Sequence, residues 1–176
     1  MDNGVPQVAW AGRHFQVLLT PVTYPDGTVK THEQVQAPDV VRVYGVADDA
    51  VLLIREYRAD VGRRVYRVPS GRVEAGESAE AAARREFREE AGREALGWEL
   101  LKAARPVLKF KYTVWHFLAT DLSFVGQDTE PGEDIEVVRM PLDQVPDMVL
   151  DGFVEEDSIA MTLLRIARRF GKRIPA

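Results

Sequence analysis

Residues 70–93 read SGRVEAGESAEAAARREFREEAGR, a glycine-bearing turn that runs into a segment crowded with carboxylates and arginines. Ser78 offers an N-cap oxygen, the body is rich in alanine, and Gly92 stands where a C-cap glycine belongs, so a helix is predicted over 78–91. Residues three and four apart share a helix face, which makes Glu86 a neighbour of both Glu89 and Glu90. Like charges at that spacing repel, and these sit at the C-terminal end, where the helix dipole disfavours anions. Arg84, Arg85 and Arg88 offset part of the repulsion, and a solvated charged face is the plain alternative. The cost is accounted for if divalent cations neutralise the carboxylates, and hard oxygen ligands suit Mg2+ or Mn2+. In the preceding loop, Gly71 and Gly76 let backbone approach a ligand closely.

Working outward, residues 64–68 form a short strand that stops at Pro69. Upstream, residues 40–46 and 50–57 are β-rich runs around Asp48-Asp49, a plausible hairpin. Residues 13–22 and 28–36 read as two further strands around the turn Tyr24-Pro25-Asp26-Gly27. Downstream, strands are predicted over 98–104, 107–119 and 135–140, and TEPGED at 129–134 is an acidic loop. A short helix is expected over 143–150. Residues 158–170 are amphipathic, with Ile159, Leu163, Ile166 and Phe170 on one side and Gly171 at the end. Strands, helix, strands, helix make a mixed α/β (α+β) sandwich rather than a regular βαβ repeat.

The 176 residues suit one domain or one domain with a small extension. At 45% hydrophobic and 29% charged, the chain has material for a core. A net charge of −5 favours neither a nucleic-acid backbone nor an anionic membrane as partner. Handling phosphates would then need local arginines, lysines or bound cations. The absence of cysteine excludes disulfides, thiolate catalysis and cysteine-ligated zinc. His14, His32 and His116 lack ligand spacing, which argues against a histidine metal site. No apolar run reaches membrane-spanning length, and MDNGVPQVAW lacks a signal pattern. A cytoplasmic enzyme or binding protein is the expected class.

Gly71, five residues, Glu77, seven residues, then Arg85-Glu86-Phe87-Arg88-Glu89-Glu90-Ala91-Gly92 resembles the Nudix box, whose pattern is G, five residues, E, seven residues, R-E-apolar-x-E-E-x-G-apolar. Every fixed glycine, glutamate and arginine is in place, and only Arg93 departs, filling an apolar slot. The resemblance implies a Nudix hydrolase with an α/β/α sandwich and a mixed sheet, cleaving a nucleoside diphosphate linked to another moiety with Mg2+ or Mn2+. It implies Glu86, Glu89, Glu90 and the main-chain carbonyl of Ser70 as metal ligands. Glu77 and Arg85 would orient that set.

The segment VLLIREYRADVGRRVYRVPSGRVEAGE, residues 51–77, is similar to the ADP-ribose pyrophosphatase-like branch of that family, as is EDIEVVRMPLDQVPDMVLDG, residues 133–152. That branch implies an N-terminal antiparallel sheet (1–39) ahead of the catalytic domain (40–176), exchanged between subunits of a homodimer. It implies hydrolysis of ADP-ribose or a related nucleoside diphosphate sugar to a nucleoside monophosphate and a sugar phosphate. It also implies a catalytic glutamate on the late acidic loop, with Glu133 the first choice and Glu130 the second, and Glu89 as a further catalytic candidate. Arg58 is a candidate for diphosphate contact, with an ion pair to Glu56 or Asp60 as the alternative. Phe15 is a candidate for stacking on a base, with a core aromatic as the alternative. Arg67 replaces the glutamate usual before L-P-A-G, Ser70 replaces the alanine, and VLKFKY replaces a glycine-containing loop. Lys109 and Lys111 are expected to face solvent. Another nucleoside diphosphate derivative, or an ADP-ribose-binding module without catalysis, are the other readings. Intact box glutamates weigh against the last.

Overall fold

The computed structural model describes residues 2–129 and 132–171, which form two sheets and three helices. The first sheet contains β1 (Asp2–Asn3), β2 (Gln7–Ala11), β3 (Gln16–Thr23) and β4 (Val29–Gln36), closed by β10 (Phe110–Lys111) running parallel to β4. The second contains β5 (Val40–Ala47), β6 (Ala50–Arg58), β7 (Arg63–Arg67), β8 (Ser70–Arg72), β9 (Arg93–Ala104), β11 (Val114–Phe124) and β12 (Ile135–Pro141). Its order is β12-β6-β5-β11-β9, with β7 on β6 and β8 on β5. It is mixed, because β11 runs parallel to β5 while its other pairings are antiparallel. The helices are α1 (Ala79–Ala91), α2 (Val145–Leu150) and α3 (Asp157–Phe170).

The central strands β5 and β6 are near-continuous apolar runs because both of their faces are covered. Asp48 and Asp49 both take positive φ (49° and 60°), the backbone that a tight two-residue hairpin loop demands. On one face, Ala82, Ala83, Phe87 and Ala91 of α1 pack against Val41, Val43, Leu52 and Phe117. Gly45 makes room there, since a methyl on it would lie 2.6 Å from the Phe87 ring. On the other face, Val145 and Met148 of α2 with Ile159, Leu163 and Ile166 of α3 cover Tyr44, Val51, Leu53 and Leu118. The α/β/α sandwich expected from the sequence is present, and so is an N-terminal sheet.

Three details differ from the expected elements. The strand expected over 107–119 is two strands in two sheets, β10 and β11. The chain crosses between sheets at Tyr112 and Thr113, where Asp39 accepts hydrogen bonds from the Thr113 N–H (2.7 Å) and the Trp115 indole (2.9 Å). Strand β9 begins at Arg93 rather than 98, because left-handed Gly92 (φ 62°) turns the helix end directly into a strand. That explains Arg93: it pairs across the ribbon with Phe124, and its guanidinium lies 4.8 Å from that ring centroid. The three-residue β8 is too short to show a period, and the five-residue β2 exposes Val8 and Trp10 instead of burying them.

Candidate active site

Helix α1 is fixed at both ends by the residues expected to do so. The Ser78 hydroxyl accepts the Ala81 N–H (3.1 Å), and the Gly92 N–H bonds back to the Arg88 and Phe87 carbonyls. Arg85 then ties the preceding loop to the carboxylate face. Its guanidinium donates to both oxygens of Glu77 (3.1 and 3.2 Å), to Glu86 (2.8 Å), to Glu89 (3.1 Å) and to the Arg72 carbonyl (3.0 Å). Arg85 holds the Glu77 carboxyl below its ordinary range. The loop can come this near because residue 71 is glycine; a methyl there would collide with the Glu86 carboxylate.

Glu90 lies deepest, 7% exposed, and accepts a 2.7 Å hydrogen bond from the Ser70 N–H. Burial pushes its pKa up to about 8; Glu86 and Glu133 add to the rise, while the Ser70 N–H and the Arg67 charge oppose it. Burial raises Glu86 as well, against the pull of Arg85, with Glu89 and Glu133 adding to it. Among the described residues no three histidine or acidic side chains converge as a ready cage. Glu86 and Glu89 turn to Arg85, and Glu90 turns to Ser70. The donor chemistry nevertheless fits a hard divalent cation. Buried carboxylates meet each other's charge, and the Ser70 hydroxyl is buried without a partner beside them.

Of the two loop glutamates, Glu133 is brought near enough for its charge to act on both Glu86 and Glu90. Glu130 falls outside the described residues. The β11–β12 connection is tethered at α1, where the Asp128 N–H donates to the Glu89 carbonyl (3.1 Å), and at β6, where the Tyr57 N–H donates to the Asp134 carbonyl (3.2 Å).

Arg58 sits at the end of β6, engaged by Asp60 (3.0 and 3.1 Å) and by Glu56 (3.4 Å), the ion pairs that were the alternative reading. Phe15 is not a core aromatic: it is 46% exposed, 5.2 Å from the Trp10 ring, beside a cavity of about 360 Å³ on the N-terminal sheet. His14 on the rim of that cavity contacts Arg72 of β8. Lys109 is exposed and Lys111 half-buried.

Two arginines carry contacts that the sequence did not announce, and the charge of one of them, Arg67, acts on Glu90. Arg67 donates to Glu56 and to Glu156 (3.2 Å each), and Arg42 donates to Glu156 and Ser158 at the start of α3. Arg67 had shown itself only as a departure from the usual glutamate. Arg42 carried no signal, because an arginine in a β-run reads as solvent-facing, yet it is 7% exposed. His116 is a core residue whose Nδ1 lies 2.9 Å from the Tyr44 hydroxyl.

The NUDIX domain model matches residues 33–162. The chain is 28% identical over 144 residues to an ADP-ribose pyrophosphatase of Bacillus subtilis, covering 80% of this chain and 78% of that one. It is 30% identical over 146 residues to an ADP-ribose pyrophosphatase of Mycobacterium tuberculosis, covering 80% and 70%. A methanol dehydrogenase activator of Bacillus methanolicus is 25% identical over 139 residues, covering 77% and 75%. The fold matches a crystal structure of an ADP compounds hydrolase with a TM-score of 0.83 at 24% identity, covering 98% of this chain and 96% of that one. The chain belongs to the Nudix family of hydrolases, on the branch that its ADP-ribose pyrophosphatase relatives occupy.

Proposed function

We propose that the protein hydrolyses the diphosphate of ADP-ribose or a related nucleoside diphosphate sugar, giving a nucleoside monophosphate and a sugar phosphate. The observation that carries this reading is the pair of carboxylates on α1, half-buried Glu86 and buried Glu90, within electrostatic reach of Glu133. Glu86, Glu89, Glu90 and the Ser70 main-chain carbonyl would hold Mg2+ or Mn2+. When bound, the cation would neutralise phosphate charge and acidify the attacking water. Glu133 is the proposed base, accepting the proton of that water, and Glu130 is the second candidate. Glu89 shares the Arg85 guanidinium and follows its position. Arg85 and Glu77 fix the carboxylate face through the bidentate pair. Arg58 and Phe15 are the proposed contacts for diphosphate and base.

The names of two relatives favour ADP-ribose as substrate. The exposed N-terminal sheet, with Val8 and Trp10 on its surface, is the proposed homodimer contact, and the cytoplasm the proposed compartment. No described helix is long and apolar enough to cross a membrane. Incubation with nucleoside diphosphate sugars, dinucleoside polyphosphates, coenzyme A and nucleoside triphosphates, with Mg2+ or Mn2+, tests the substrate. ADP-ribose should yield AMP and ribose phosphate. Faster cleavage of another class moves the substrate there, and binding of ADP-ribose without any cleavage favours the binding-module reading.

A further inference from the structure

Gln127 stands at a junction outside the chemistry proposed above. Its side-chain amide donates to the Glu90 carbonyl (2.7 Å), across 37 positions of sequence. The neighbouring Asp128 N–H takes the Glu89 carbonyl (3.1 Å), and the Val125 N–H takes the Gly92 carbonyl (2.9 Å). The last carbonyls of a helix have no partner within it. Here Glu89 and Glu90, the same residues that carry the carboxylates, have their carbonyls capped by the segment leading to Glu133. The approach depends on Gly92, since a methyl there would stand 2.8 Å from the Gln127 nitrogen and 2.9 Å from the Gly126 carbonyl carbon. At its far end the same connection is anchored where Asp134 meets the Tyr57 N–H (3.2 Å) and Arg64.

The residue type suits the place. The negative end of a helix dipole favours a cationic partner, but a lysine or arginine here would bring a fixed positive charge beside the carboxylates. A glutamine caps the carbonyl without that charge.

We infer that Gln127 is a positioning residue: by holding the Glu90 carbonyl it sets the connection that carries Glu133 in register with the helix end that presents Glu86 and Glu90. The inference rests on Glu133 being the base. Misplacing a reacting group by about 1 Å costs on the order of a hundredfold in rate. The thioether-for-amide variant Gln127→Met, which keeps length but cannot donate, is therefore expected to lower kcat about tenfold or more. KM and the half-saturating Mg2+ concentration should move less than about twofold.

A double-mutant cycle with Glu133→Gln makes the test specific. Gln127→Met should slow the wild type but add nothing in the Glu133→Gln background. By hydrogen exchange, the amides of Asp128, Thr129 and residues 132–134 should exchange faster in Gln127→Met without substrate or metal, while those of α1 before Arg88 stay protected. Equal losses in both backgrounds, a raised Mg2+ requirement, or unchanged kcat would overturn the inference while leaving Glu133 as base. Near wild-type activity of Glu133→Gln would overturn both. Should Gln127→Met fail to fold, Gln127→Asn, which keeps the amide one methylene short of the carbonyl, is read in the same cycle.

Discussion

On the α3 side of the central sheet, buried polar groups pair with one another, the Arg42 Nε excepted. Tyr44 meets His116, and Arg42 meets Glu156 and Ser158. In α1, Arg85 is divided among Glu77, Glu86 and Glu89, and Glu90 accepts from the Ser70 N–H. Both regions desolvate ionisable groups, at a cost that an internal partner can offset. The first finds that partner inside the protein and serves packing. The second holds like-charged carboxylates close enough for their charges to act on one another, which favours a partner from outside. Burial alone therefore does not mark a site; burial of like charges does.

The contrast breaks most visibly at Glu90. Glu90→Gln should lower kcat by about two to three orders of magnitude with the circular dichroism spectrum unchanged. Mg2+ should raise the melting temperature of the wild type through linkage but not that of this variant. Near wild-type turnover would remove Glu90 from the ligand set.

On the matched side, the expectation concerns pH. Burial lowers the His116 pKa to about 4, so the folded protein holds it neutral. The unfolded chain protonates it near the ordinary value of about 6.5. Its contribution is thus complete above about 6.5 and is lost as pH falls towards 4, approaching roughly 3 kcal/mol. Urea titrations between pH 7 and 4 should show this loss, and His116→Asn, which retains an acceptor for Tyr44, should flatten it. An equal slope in both proteins would exclude His116 as its source.

The smallest effect is at the ribbon beside the site. Arg93→Ala removes the contact with Phe124 and should cost about 0.5–1 kcal/mol in melting experiments, with kcat unchanged. A large loss of activity would instead tie Arg93 to the chemistry.

Local signals made much of this legible. Ser78 and Gly92 bound α1 as their types predict, and the Asp48-Asp49 hairpin and the apolar stripe of α3 followed their periods. What stayed hidden depended on long-range pairing. Strand β10 leaves its neighbour β11 because Asp39, more than seventy positions away, fixes the crossing. Arg42 looks like any strand arginine until α3 supplies Glu156 and Ser158.

By itself, then, the sequence determined the carboxylate face. Helical period places Glu86, Glu89 and Glu90 together, and the glycines of the loop follow from local backbone chemistry. Only the tertiary structure decided that Glu90 is buried against Ser70, that the charge of Glu133 acts on Glu86 and Glu90, and that Gln127 bonds the helix end. The reason is physical: spacing fixes which side chains share a face, whereas desolvation and charge coupling depend on what the rest of the chain folds over it.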